Sequence, residues 1–176
     1  MIYKFRIISG ENEDFIREIA INSYATFFDL HTFLVKELDY DKSQMTSFFL
    51  TDQNWHKEVE VTLIDMTDGQ DPDIKVMDNT NLGELITEKK QRLLYVFDQF
   101  AERALFLELF EISDGEINQT VCTRRHGNPP LQLDSSALES GDLDDIDLLE
   151  FTGDEDNEDI MDLGEQQDSY DEEEWY

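Results

Sequence analysis

Cysteine is nearly absent: Cys122 is the only one in 176 residues, so no intrachain disulfide can form. No run of 18 apolar residues occurs, which argues against a membrane-spanning helix. The opening Met1-Ile2-Tyr3-Lys4-Phe5 lacks a secretory-signal pattern and reads as a strand from its first residues. A cytoplasmic protein with no membrane partner is expected. A Gly-rich phosphate loop, a nucleophile elbow and a metalloprotease helix motif are all missing. His31, His56 and His126 are the only histidines, and none lies within four residues of another. With a single Cys they give a structural zinc site poor support. No cofactor, metal ligand or catalytic residue is assigned, and the balance favours a non-enzymatic protein.

Basic residues are scarce, at 13 Lys and Arg against 43 Asp and Glu, a net charge of −30. The deficit is uneven. Residues 134–176 hold 19 acids and no Lys or Arg, whereas the first 133 residues hold 24 acids and 13 bases. The expected organisation is an α+β domain over 1–133 followed by an acidic tail over 134–176. Such a charge repels phosphates at long range, so direct nucleic-acid binding is disfavoured, although Arg124-Arg125 forms a local basic pair.

The tail is rich in Gly, Ser, Asp and Glu, a composition that favours disorder. Apolar residues nevertheless punctuate it, including Leu148, Leu149, Phe151, Trp175 and Tyr176. Acidic segments with spaced apolar anchors fold on partners or dock on their own domain. Asp142, Asp144, Asp145, Asp147 and Glu150 lack the spacing and the turning Gly of a calcium loop.

What is present is organised around residues 93–112. Leu93 to Asp98 and Ala104 to Ile112 are apolar runs flanking the polar Gln99 to Arg103. They read as a β-hairpin with a five-residue connection. In the second run Leu105, Leu107 and Leu109 share one face, and Phe106, Phe110 and Ile112 share the other with Glu108. Two apolar faces predict a central strand covered on both sides. Ala, Leu and Glu also suit a helix, but the Phe content favours the strand.

The rest falls into order around that hairpin. Tyr3, Phe5 and Ile7 alternate with Lys4 and Arg6; after a turn at Gly10 to Glu13, Phe15, Arg17, Ile19 and Ile21 share a face. This is a first hairpin. Thr26-Phe27-Phe28-Asp29 has the spacing of a helix start, and Phe27, Leu30, Leu34 and Leu38 form one stripe ending near Asp39. Strands are predicted at Thr46 to Leu50 and Glu58 to Ile64, with a turn at Asp52 to Lys57. Asp65 to Asp78, containing Gly69 and Pro72, reads as a loop, Thr80 to Ile86 as one helical turn, and Ile117 to Thr123 as a last strand. Pro129-Pro130 ends regular structure. The predicted fold is a mixed sheet with a helix packed on one face. Its ββαββ order plus closing strands is compatible with a β-grasp-like arrangement.

His31, Asp98 and Arg103 mark a candidate functional surface. Asp98 ends a strand beside Glu102 and Arg103, which makes it the most constrained carboxylate, although a turn cap explains it as well. His31 sits mid-helix beside Leu30, where packing or hydrogen bonding is the simpler explanation. Trp55-His56 lies in a turn, where Trp more often covers core than anchors a partner.

The segment order resembles the plasmid pRiA-type ORF-three-like family between about Ile2 and Pro130. Asp29-Leu30-His31, with Tyr40 and Phe48-Phe49, is similar to that family's Leu-His helix and following strand. Leu94-Tyr95-Val96-Phe97-Asp98 resembles its aromatic strand ending in Asp, and Cys122, Gly127 and Pro129-Pro130 its Cys/Gly/Pro-Pro segment. The likeness is to a divergent branch with degenerate motifs. Where the family often continues with Gly-Asp, then Trp and His, this chain has Phe100, Ala101, Arg103 and Leu105. Leu131-Gln132 stands where Glu-Asp usually follows the prolines. The resemblance implies a compact α+β domain and does not supply an activity.

Three functions are therefore expected, in this order: a protein-interaction domain contacting a partner through its acidic tail; a small-ligand binder or enzyme using the sheet surface near Asp98 and His31; and an acidic mimic of nucleic acid.

Overall fold

Alternating side chains build the first hairpin, β1 (Ile2–Ser9) and β2 (Ile16–Asn22), paired antiparallel with Phe5 opposite Ile19. The computed structural model describes residues 1–67 and 74–133. The expected loop residues Gly69 and Pro72, the tail boundary, the acidic stretch Asp142 to Glu150 and the tail anchors Leu148, Leu149, Phe151, Trp175 and Tyr176 lie outside the described residues.

The helix α1 (Phe27–Leu38) starts where the sequence placed it. Thr26 Oγ1 accepts from Asp29 N–H at 3.0 Å and Asp29 Oδ2 accepts from Thr26 N–H at 2.9 Å, so two orphan donors are satisfied reciprocally. It ends at Asp39, whose left-handed backbone (φ 57°) stops propagation. Next come β3 (Ser47–Thr51) and β4 (Lys57–Thr62), then β5 (Lys75–Val76), then α2 (Leu82–Leu85). Then follow β6 (Arg92–Asp98), β7 (Arg103–Ser113) and β8 (Val121–His126).

The eight strands among the described residues join one sheet in the order β5-β4-β3-β6-β7-β1-β2-β8. Every pair is antiparallel except β4–β5, which is parallel and makes the sheet mixed. One face carries the core. Tyr3, Phe5, Ile7, Phe48, Tyr95, Phe97, Leu105 and Leu107 cluster there with Phe27, Leu30, Leu34 and Leu38 of α1. Phe27 meets Phe48 at 5.4 Å between ring centres.

The structure corrects the sequence reading in several places. Asp98 pairs directly with Arg103, so four residues, not five, connect β6 and β7. A bulge shifts the β1–β7 register between Lys4 and Phe5, with Lys4 opposite Glu111 and Phe5 opposite Leu109. The unpaired Phe110 absorbs the extra residue, and Ile112 moves from the predicted face to the core side. The second face of β7 is half-buried rather than covered: Phe106, Glu108 and Phe110 all keep partial exposure. Cations and one ring overlie it. Arg6 sits 5.1 Å from the Phe110 ring centre, Trp55 lies edge-on to Phe106 at 4.9 Å, and Arg92 covers Trp55 at 4.9 Å. Trp55 thus covers the sheet from its turn. The predicted loop after Ile64 contains β5, and the last strand begins at Val121 rather than Ile117. Ile117 instead exchanges two hydrogen bonds with the Asn22 side chain.

Candidate functional site

His31 follows Leu30 on α1, and the helical turn carries it to the buried side of the stripe, above β6 and the start of β3. It is 4% exposed. Nδ1 lies 3.0 Å from the Tyr95 hydroxyl and 3.3 Å from that of Thr46. Tyr95 is fully buried, a core-facing residue of β6, and its ring packs on Phe48 at 4.9 Å. Burial lowers the His31 pKa from its ordinary 6.5, so the imidazole is neutral at pH 7. Burial likewise raises Tyr95 well above 10, so the phenol keeps its proton.

A neutral imidazole donates from one nitrogen and accepts at the other. Both hydroxyls can donate or accept, so the two contacts at Nδ1 fit either tautomer of the neutral ring. Among the described residues Nε2 has no partner. His31 lines a cavity of about 810 Å³. Phe28, Val35, Tyr40, Leu63 and Ile64 form apolar walls, while Lys36, Asp39, Lys42 and Asp78 supply charge. Phe28 (45% exposed) and Ile64 (52% exposed) remain open. Size and lining fall in the range of small-molecule sites.

Asp98 and Arg103 come together at the far end of β6, apart from His31. Asp98 Oδ1 accepts from the backbone N–H groups of Phe100 and Ala101 at 3.1 Å each, while Oδ2 stands 3.8 Å from Arg103 Nη1. Arg103 is bidentate to Glu11 at 2.9 and 2.7 Å. It also donates to the carbonyls of Leu131 and Gln132 and covers the Phe97 ring at 5.0 Å. These bonds cap the β6–β7 turn and hold the segment after Pro130 against the domain. Asp98 lines a different cavity, of about 360 Å³, with Met45, Phe97 and Phe100. The structure therefore does not bring His31 into one pocket with Asp98 and Arg103, because Tyr95 and Asp98 are three residues apart along an extended strand.

Two further groups carry the electrostatics. Arg17, on the core face of β2, lies 3.3 Å from Glu37 of α1, and both side chains are 8% exposed. Arg17 Nη1 also donates to the carbonyls of Ile16, His126 and Gly127. Arg125 closes on Glu37 at 2.5 and 2.7 Å. The basic pair Arg124-Arg125 is thus engaged, with Arg124 3.6 Å from Glu18. Among the described residues no cluster of three or more His, Cys, Asp or Glu side chains could hold a metal. No helix among them is long and apolar enough to cross a membrane.

Tyr95, Thr46 and Glu37 were missed from sequence. Tyr95 gave a signal: a phenol on the core face of a central strand needs a buried partner. Arg17 gave another, since a guanidinium among Phe15, Ile19 and Ile21 demands a carboxylate.

Comparison with known proteins completes the picture. The chain matches the family model for plasmid pRiA4b ORF-3-like protein over residues 1–175. No curated protein matches it. Among solved structures it is similar to the protein of unknown function MM3350 from Methanosarcina mazei Go1. Identity is 17% and the TM-score 0.56, over 70% of this chain and 68% of that one. At that identity the likeness bears on the fold alone.

Proposed function

Because the chain belongs to the plasmid pRiA4b ORF-3-like family, whose membership supplies a fold but no activity, we propose its function from the site: a non-enzymatic domain that binds a small apolar ligand beside α1. One observation carries this reading. The nearly buried His31 and the apolar side chains of Phe28, Val35, Leu63 and Ile64 line one cavity. A concave, largely apolar lining with a few polar groups is the kind of surface a small apolar ligand fills. This moves the expected ligand surface from Asp98 and Arg103, whose polar atoms serve the turn, to His31.

Titrating the full chain with Nile red, an uncharged apolar fluorophore, should give a saturable one-site fluorescence rise. Val35→Arg, placed on the cavity wall, should abolish it while leaving the melting curve cooperative. A non-saturating rise, or one unchanged by Val35→Arg, rules the pocket out.

A second reading retains the tail. Its 19 acids, without a Lys or Arg, and its apolar anchors Leu148, Leu149, Phe151, Trp175 and Tyr176 support contact with a protein partner. The free Cys122 accords with the reducing cytoplasm in which that partner would be met. A β-grasp-like relationship is supported by the ββαββ order and by α1 joining the sheet's core; the β6–β7 hairpin then lies between the β1–β2 and β3–β4 hairpins.

A further inference from the structure

Resting on the pocket reading above, we infer that the ligand is amphipathic: its hydrocarbon body fills the cavity beside His31, and a hydroxylated head, such as a sugar or glycerol group, crosses α1 to a second site. The crossing comes from the helix itself. A neighbouring cavity of about 600 Å³ shares Phe28, Thr32 and Lys36 with the first. Spaced by four, these residues stand in one row on α1. His31 and Val35 flank that row on one side, Asp29 and Phe33 on the other, so the two cavities meet across the helix. Thr32, the short side chain of the three, sits about 6 Å along the axis from each neighbour, which leaves a gap for a single hydrocarbon chain.

The head follows from the second lining, where Tyr24, Asn118, Gln119 and Thr120 supply uncharged polar groups. Asn22 fixes this wall beside α1: its Nδ2 donates to the Ile117 carbonyl at 2.7 Å and its Oδ1 accepts from the Ile117 N–H at 3.0 Å. Among the described residues, the side chains of Tyr24, Asn118, Gln119 and Thr120 make no hydrogen bond, so they are available to a ligand. Each amide offers donors and an acceptor together, and each hydroxyl does both. A hydroxylated head matches that mixture, because its own hydroxyls also give and accept. A carboxylate would use only the donors, and an ammonium only the acceptors. The two charged side chains at this wall, Asp29 and Lys36, are opposite in sign, and Asp29 Oδ2 already accepts from the Thr26 N–H.

The test uses the full chain and four probes sharing an octyl chain: octyl glucoside, methyl octyl ether, octanoate and octylamine. Each displaces Nile red at pH 7.5, below its micelle concentration. Octyl glucoside should displace the dye at a roughly tenfold lower concentration than the ether, the worth of one or two net hydrogen bonds. Octanoate and octylammonium should do no better than the ether. The double variant Asn118→Ala, Gln119→Ala, at two exposed loop positions, should remove the glucoside's advantage and leave Nile red binding unchanged. In the unmodified protein, the side-chain amide NMR signals of Asn118 and Gln119 should shift with octyl glucoside and stay in place with the ether. Equal displacement by glucoside and ether, tighter displacement by either ion, an advantage that survives the double variant, or unmoved amide signals overturns the inference while leaving the pocket standing. If Nile red itself fails to bind at one site, the pocket reading falls, and the inference with it.

Discussion

Gly127→Ala is expected to destabilise the protein by about 3 kcal/mol in urea unfolding, adding left-handed strain to overpacking. Gly127 holds φ +63°, where an L side chain is disfavoured. Its space is also taken. A Cβ built there would stand 2.4 Å from the Asp14 carbonyl oxygen, 2.7 Å from the Asp14 carbonyl carbon and 3.0 Å from Phe15 N. All three are backbone atoms, so no side chain can rotate away and the entry to β2 must move. That movement would disturb Phe15, which is fully buried, and the bond from Arg17 to the Gly127 carbonyl. Gly10→Ala is the control. Gly10 has an ordinary φ, and its nearest neighbour would be a Phe106 ring carbon at 3.4 Å. It should change stability by no more than about 0.5 kcal/mol. Equal effects at the two glycines would refute the steric account.

Glu37→Leu should cost about 3 kcal/mol, the lower end for removing one partner of a buried ion pair. The lower end applies because Arg17 keeps three carbonyl acceptors. Converting Arg17 to Met in the same chain should recover most of the loss, since the unpaired charge goes with it. Arg125 is largely exposed and tolerates losing its partner. A double variant no more stable than Glu37→Leu would show that the pair is not the source of the cost.

Acid titration adds a signed prediction. Burial alone would raise the Glu37 pKa, but the hydrogen bonds from Arg125 and Cys122 and the charges of Arg125 and Arg17 bring it below the ordinary 4.5. A depressed folded pKa contributes stability that is fully present above 4.5 and lost as pH falls through the folded value. The stability gap between wild type and Glu37→Leu should therefore narrow on acidification below pH 4.5 and stay constant from there to neutrality.

Much of the fold was legible because its elements carry strong local patterns. Thr26 and Asp29 announce α1, and strict alternation through Tyr3, Phe5 and Ile7 announces β1. The hairpin at 93–112 was visible because its apolar runs are long and its break is polar. The bulge at Phe110 was not, since the choice to insert one residue is made by β1 across the sheet rather than by β7. β5 was missed for a related reason: two residues hold no period, and their strand character comes from β4. At the site, His31 was noticed but joined to Asp98 because both were unusual residues in neighbouring elements. Its true partners, Tyr95 and Thr46, looked like ordinary strand residues until the helix was laid over them.

The sheet order has a consequence for synthesis. The β1–β2 and β3–β4 hairpins are each local and can form soon after they leave the ribosome. Yet β1 and β3 are joined only through β7 and β6, which arrive last among the central strands. Until residue 113 has emerged, two half-sheets wait with open edges, and β1 must then find a partner strand far along the chain, pairing Ser9 with Leu105 and Ile2 with Ser113. Closure over that distance makes folding slow relative to local hairpin formation. The nascent chain is therefore most exposed to strand-edge aggregation while its middle is being made. A stalled or truncated product ending before β7 would be a target for chaperones rather than a smaller version of the domain.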